Sequence, residues 1–198
     1  MGEERSRDKE INREKKRSRE KKISREKERN RDRLRIGQGI DFHRFIPESS
    51  LVLGGCEIPH EYGLDGHSDA DVLTHAVMDA ILGALGKGDI GEIFPDSDPE
   101  YKGVRSLNLL GHLRAEFLEG SFAIINLDIT IIAESPRLNG YKEAMGKNLA
   151  CTLGINNDRV NIKATTTEGL GFIGENQGMA AQAVVLLEKN FTQSRSDS

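Results

Sequence analysis

Apolar residues enter this chain abruptly near position 35, and from there to about 188 they recur with two alternating periods. Residues 35–41 and 51–58 alternate or cluster apolar positions as strands do, around a loop holding Pro47, Glu48 and Ser49. Residues 69–85 switch to helical spacing, with Val72, Leu73, Ala76, Val77 and Ala80 on one face. Ser68 ahead of Asp71 reads as a capping box that starts this helix, with Asp in place of the usual Glu. A Gly/Asp/Pro-rich loop fills 86–99, a second helix is predicted over 103–118, and a third over 139–152, stopping near Gly154. Strands at 121–133, 159–165 and 179–188 complete the pattern. The order β-β-α-α-β-α-β-β predicts an α+β domain, a mixed β-sheet with helices packed on one face.

The polar remainder divides the chain. Residues 1–34 form a low-complexity charged extension in which Ile11, Ile23 and Leu34 cannot define a buried face. They hold 15 Lys/Arg against 9 Asp/Glu, a net +6; the whole chain carries −4, which leaves −10 for residues 35–198. The expected organisation is a disordered or solvated extension over 1–34, a catalytic domain over 35–190 and a flexible tail over 191–198. Interleaved acids and the lack of aromatics make nucleic-acid contact by the extension the weaker reading and a solubilising role the stronger. Cys56 and Cys151 stand far apart, with no spacing of a disulfide framework or a cysteine zinc site. No apolar run approaches the roughly 20 residues that span a bilayer, and the first residues lack the apolar stretch of a secretory signal. A cytoplasmic enzyme with no membrane partner is the expectation.

Candidate chemistry begins at Asp41-Phe42-His43, near the end of the first strand. Alternation puts Asp41 and His43 on one face, where a carboxylate and an imidazole can reach the same metal ion. A third ligand must come from elsewhere. On the helix that follows, Asp71, His75 and Asp79 share a stripe at i, i+4 and i+8. His75 is the best ligand among them, and either Asp71 or Asp79 is placed to orient its second ring nitrogen. One Asp and two His suit Zn²⁺, with Mn²⁺ or Co²⁺ as alternatives. Taken singly, each histidine is more often structural. The polar run Gly66 to His75 at a helix start exceeds what capping needs, and a helix N-terminus favours phosphate. The acidic loop Asp89-Ile90-Gly91 and Phe94 to Asp98 is either an ordinary turn or a binder of hydroxyl groups. Thr165-Thr166-Thr167-Glu168 is either strand-forming sequence or a diphosphate cradle, with Glu168 on a hard cation.

In this combination and order the chain resembles the 2-C-methyl-D-erythritol 2,4-cyclodiphosphate synthase family. The resemblance runs over about 35–189 and rests on Arg35 to His43, Gly66 to His75, Gly88 to Gly91 with Phe94 to Asp98, Ala133 to Arg137, Lys163 to Glu168 and Leu170-Gly171-Phe172. It implies a homotrimer with active sites between subunits. The implied reaction is attack of a 2-phosphate on the β-phosphate of a CDP-linked methylerythritol, which closes a cyclic diphosphate and releases CMP. It implies a zinc-type ion on Asp41, His43 and His75, and a second cation, Mg²⁺ or Mn²⁺, held by Glu168 against the diphosphate. His67 and Ser68 are expected at the methylerythritol phosphate. Asp89, Ile90 and Gly91 lie near ribose and polyol, and Phe94, Asp96, Ser97 and Asp98 near the polyol hydroxyls. The loop Ala133 to Asn139, with Pro136, Arg137 and Leu138, would read the cytosine. Thr165, Thr166 and Thr167 would contact nucleotide phosphates, and Phe172 would line the cleft.

Two departures stand out. Gln38 replaces a His found in many relatives, away from any ligand position. Glu175 replaces an Arg associated with phosphate binding, including that of isoprenoid diphosphates in the trimer cavity, so no such ligand is expected here. Two other functions fit parts of the sequence: a metallo-phosphohydrolase using the same ligands, and a nucleic-acid-binding protein led by residues 1–34.

Overall fold

The computed structural model describes residues 15–21, 23–24, 33–66, 68–95, 98, 101 and 103–190. The chain separates into two units, Met1–Leu34 and Arg35–Ser198. In the first, residues 15–21 and 23–24 are helical and exposed. The expectations for the rest of the charged extension, apart from Arg33 and Leu34, and for the 191–198 tail lie outside the described residues, as do His67, Asp96 and Ser97.

The second unit is built on seven strands: β1 Leu34–Pro47, β2 Leu51–Leu53, β3 Cys56–Ile58, β4 Tyr62–Leu64, β5 Phe122–Ile132, β6 Val160–Thr165 and β7 Gly178–Lys189. The helices are α1 Val72–Leu85, α2 Ile90–Ile93, α3 Ser106–Leu113, α4 Lys142–Leu153 and α5 Gly171–Gly174. The main sheet has the order β4-β1-β7-β5-β6, and β2 and β3 form a separate hairpin. β5 runs antiparallel to β7 and parallel to β6, so the sheet is mixed and the domain α+β.

Several boundaries differ from the sequence reading, each for a local reason. β1 runs on to Pro47 because β4, which the hydropathy pattern missed, pairs with Phe45, Ile46 and Pro47. The 51–58 segment breaks into a hairpin at Gly54 and Gly55, both at positive φ. α1 starts at Val72 rather than 69, since Asp71 is the true N-cap: its carboxylate takes the amide of Thr74 at 3.0 Å. α1 ends where Gly86 adopts the left-handed conformation, φ 67°. The second predicted helix is α3 continued as a π-helical turn, Arg114–Leu118.

Alternation sorts the sheet into two faces. Leu127, Ile129 and Ile131 of β5 and Ala181, Ala183, Val185 and Leu187 of β7 point inward and are buried against α1, α3 and α4. On α1, Leu73, Val77, Met78 and Ile81 are fully covered, each worth about 1.5–3 kcal/mol of burial. The opposite face carries a bare apolar stripe on β1, formed by Leu34, Ile36, Ile40 and Phe42, with Ile36 72% exposed.

Where β1 crosses α1 the two backbones nearly touch. A Cβ at Gly37 would stand 1.9 Å from the Ala80 carbonyl oxygen, and one at Gly39 would stand 2.1 Å from that of Ala76. Two glycines at i and i+2 on the strand thus face alanines at i and i+4 on the helix. The next inward positions on β1 are Asp41 and His43, and the residue before Ala76 is His75. The close crossing is what brings these three together.

Candidate active site

Asp41, His43 and His75 offer donor atoms that all lie within 4.8 Å of one another, and they form the only such group of three or more among the described residues. Asp41 Oδ2 is 3.0 Å from His43 Nε2 and 3.1 Å from His75 Nδ1, and those two nitrogens are 3.2 Å apart. The imidazoles are about 15% exposed and the Asp41 side chain 25%, so the cluster is half-buried but reachable from solvent.

The proton positions follow from the partners on the far side of each ring. His43 Nδ1 contacts the Asp65 carbonyl, which can only accept, so Nδ1 carries the proton. His75 Nε2 lies 2.9 Å from Ser106 Oγ. Ser106 is fully buried, and its hydroxyl donates to Asp69 Oδ1, which also takes the Ser106 amide at 3.1 Å. Its proton is therefore committed, and Ser106 can only accept from His75 Nε2–H. Ser68 Oγ offers a second acceptor at 3.2 Å. Both rings are held in tautomers that turn a lone pair toward Asp41. In these neutral tautomers two nitrogens and a carboxylate converge with no proton between them, an arrangement that either a bound cation or a proton taken up by an imidazole reconciles.

Without a cation, a proton takes its place. Burial pushes the Asp41 carboxyl up, but hydrogen bonds and charge from His43 and His75 outweigh it and hold the group far below the usual carboxylate range. Burial pushes His43 down, yet the hydrogen bond and charge of Asp41 outweigh it and raise the imidazole above its ordinary value. A donor set of one carboxylate oxygen and two imidazole nitrogens fits a zinc-type divalent ion with an open position.

Neither aspartate expected to orient His75 does so. Asp71 is fully buried and accepts from Gly54 N, Gly55 N, Thr74 N and Thr74 Oγ1, at 2.8–3.0 Å. It ties the β2–β3 hairpin to the start of α1. Asp79 accepts the Ile90 amide at 2.8 Å. Ser106 takes the orienting role, 31 residues from His75. As the opening residue of a helix, it carried no distinguishing mark in the sequence.

The remaining predicted residues lie outside the Asp41 cluster. Asp89 caps α2 through Glu92 N at 3.1 Å and is exposed, as is Gly91; Ile90 is half-buried. Phe94 is buried, and its ring packs edge-on against Tyr101 at 5.2 Å, within the core cluster. Asp98 is half-buried. Ala133 and Leu138 are buried, while Arg137 and Asn139 are exposed around the cis Ser135–Pro136 bond. The Ala133 amide already donates to the Thr165 carbonyl at 3.0 Å. Thr165, the last residue of β6, and Thr166 and Glu168 on the loop that follows are exposed, and Thr166 Oγ1 donates to Glu168 Oε1 at 2.9 Å. Glu168 lies outside the Asp41 cluster. Phe172 is half exposed, its ring centroid 6.0 Å from that of Phe42. Glu175 is exposed and accepts from Gln177 Nε2 at 2.7 Å.

Comparison with known proteins adds to this geometry. The sequence profile of the YgbB family matches residues 34–188. The 2-C-methyl-D-erythritol 2,4-cyclodiphosphate synthase of Geotalea uraniireducens is 54% identical over 156 residues, which are 79% of this chain and 99% of that protein. The synthase of the same name from Enterococcus faecalis is 51% identical over the same shares. Among solved structures, the CDP complex of IspF from Plasmodium falciparum superposes with a TM-score of 0.71 at 34% identity, covering 81% of this chain and 99% of that one. The bifunctional IspDF of Campylobacter jejuni gives 0.76 at 46% identity; the match covers 82% of this chain but only 44% of that longer one.

Proposed function

The chain belongs to the YgbB family, and from that premise we propose that the Asp41–His43–His75 cluster serves the reaction of a 2-C-methyl-D-erythritol 2,4-cyclodiphosphate synthase. The chain is a cyclising phosphorus–oxygen lyase: it converts 4-diphosphocytidyl-2-C-methyl-D-erythritol 2-phosphate to the 2,4-cyclodiphosphate with release of CMP, a step of non-mevalonate isoprenoid biosynthesis. The observation that carries the site assignment is the convergence of one carboxylate and two imidazoles whose far-side nitrogens are held by the Asp65 carbonyl and Ser106.

A zinc-type ion on Asp41, His43 and His75 would polarise the attacked β-phosphate. The chain's own residues do the rest. Attack within one molecule needs positioning above all. Ser68 beside the cluster, with His67, receives the methylerythritol phosphate. Asp89 and the loop through Asp98 accept hydrogen bonds from ribose and polyol hydroxyls. The Ala133–Asn139 loop reads cytosine through backbone groups, and Thr165 and Thr166 take the nucleotide phosphates, while the amide and hydroxyl of Thr167 are engaged by Glu134. Glu168, with one carboxylate oxygen engaged by Thr166 and the other turned to solvent, suits a Mg²⁺ or Mn²⁺ ion that draws its remaining ligands from the diphosphate.

We further read the chain as a cytoplasmic homotrimer. Ile36, Ile40 and Phe42, with Leu170 and Phe172, leave large apolar side chains on the surface that subunit contact would cover. Both cysteines are free, as a reducing compartment allows. Among the described residues, no helix is long and apolar enough to cross a membrane.

Substitution of a ligand tests the site. His75→Ala is expected to lose bound zinc and to reduce CMP release by 10³-fold or more, since Lewis-acid stabilisation supplies several kcal/mol. A zinc-free His75→Ala protein with full activity would overturn the assignment.

A further inference from the structure

The Glu134 side chain has no role in the reaction described so far, yet its carboxylate bridges the loop after β5 and the loop after β6. It stands just after β5, in the segment leading to the cis Ser135–Pro136 bond. Its Oε1 accepts the Thr167 amide at 2.8 Å and, at the long limit, the Gly169 amide at 3.5 Å, and it shares the one Thr167 hydroxyl proton, at 2.9 Å, with the Leu170 carbonyl at 2.8 Å. A single carboxylate oxygen thus collects donors from the loop that follows β6.

That loop is bent in an unusual way. Leu170 N donates to Thr167 O at 3.1 Å, closing a four-residue turn. Its two central residues, Glu168 and Gly169, both have positive φ, 55° and 79°. This is the sign pattern of a type I′ turn, which favours Gly, Asn or Asp at its centre. Glycine meets that demand at 169. Glutamate at 168 does not, and a non-glycine residue in the left-handed region is strained. Such strain persists only where neighbours enforce it. Here the Glu134 carboxylate grips the residues on both sides of Glu168, and the Ala133 amide fixes Thr165 further back. The Glu134 carboxyl is held below its ordinary value, chiefly by the amide and hydroxyl of Thr167, so the grip is ionic at neutral pH.

We infer that Glu134 is a positioning residue: it holds the Thr167–Leu170 turn so that Glu168 presents its carboxylate for a hard divalent cation shared with the diphosphate. The inference rests on the reading of Glu168 given above. It also explains a left-handed glutamate at this place, since a relaxed loop would swing the Glu168 side chain away from the Thr166 hydroxyl that orients it.

The test is Mn²⁺ binding in the presence of CDP, followed by electron paramagnetic resonance, on the zinc-loaded full chain and its E134A, E134Q and E168A variants. Zinc content and melting temperature are measured alongside. E134A is expected to weaken Mn²⁺ binding about tenfold, the scale of a lost supporting contact behind a ligand. E134Q keeps an acceptor oxygen without the charge and is expected to recover most of that loss. Zinc content and melting temperature stay near the wild-type values in both. E168A is expected to lose Mn²⁺ binding outright. Wild-type Mn²⁺ affinity in E134A alongside loss in E168A overturns the positioning role and leaves the reading of Glu168 intact. Wild-type affinity in E168A overturns that reading, and the inference with it. Zinc loss or a large drop in melting temperature in E134A shows a merely structural residue and overturns the inference as well.

Discussion

Removing the hydroxyl behind His75 should weaken the metal site without touching a ligand. Ser106 Oγ lies 2.9 Å from His75 Nε2 and is the shorter of two acceptors; Ser68 Oγ waits at 3.2 Å. In Ser106→Ala the Nε2–H keeps Ser68, so the loss is one hydrogen bond partly replaced. Its cost is about 1–1.5 kcal/mol, or roughly tenfold in zinc affinity. Removing both hydroxyls leaves Nε2–H without an acceptor in a largely buried place. That carries the penalty of an unsatisfied donor, about 2–3 kcal/mol, or roughly 30- to 100-fold. The ring also loses the constraint that turns Nδ1 toward Asp41, so the two substitutions should be more than additive. Competition with a chromogenic chelator measures zinc affinity directly, with melting of the zinc-free proteins as the control for folding. A Ser68→Ala/Ser106→Ala protein that keeps wild-type zinc affinity would refute the tautomer argument.

Other consequences follow from the same geometry. Gly39→Ala places a methyl group 2.1 Å from the Ala76 carbonyl oxygen, against helix backbone that cannot yield; a loss of about 3 kcal/mol or more in denaturant unfolding is expected, with zinc binding impaired. The zinc-free chain should respond to pH through His43. Its folded-state pKa is raised, so the protonated ring stabilises the fold below about pH 6.5, and that contribution disappears as pH rises through the folded value. Asp41 has the opposite sign: its stabilisation is present above about pH 4 and is lost only as pH falls through its strongly depressed value. Zinc competes with the His43 proton, so chelator titrations should show affinity rising with pH above 6.5 and the melting temperature of the zinc-free form falling. Glu175 places a carboxylate where an anionic ligand would need a cation, so calorimetry with farnesyl diphosphate should show no micromolar binding.

How far the sequence carried the reading differs from residue to residue. Asp41 and His43 are two apart on a strand and so share a face by geometry alone; their pairing was legible at once. His75 was the strongest of the helix residues by ligand type, but its distance to β1 was not legible. That distance depends on Gly37 and Gly39 meeting Ala76, Ala80 and Ala84, a backbone fit across some 40 positions that no local pattern encodes. The long strands β5 and β7 and the helix α1 showed in their periods because burial on one face imposes them. The three-residue strands β2, β3 and β4 are too short for a period, and the hairpin and the β1 extension depend on partners elsewhere in the chain. Asp71 was misread because capping and metal support both call for a carboxylate near a helix start, and spacing cannot distinguish them. Ser106 and Glu134 act across 31 and 33 residues, and neither has a signature before the chain is folded.

The central claim is that the Asp41–His43–His75 site closes a ring rather than hydrolysing a bond. Phosphorus NMR of the products formed by the metal-loaded full chain from 4-diphosphocytidyl-2-C-methyl-D-erythritol 2-phosphate tests it most directly. The account predicts CMP together with two mutually coupled phosphorus resonances of a cyclic diphosphate, and no inorganic phosphate. Inorganic phosphate, or CMP with an open-chain bisphosphate, would contradict it and show a metallo-phosphohydrolase using the same three ligands.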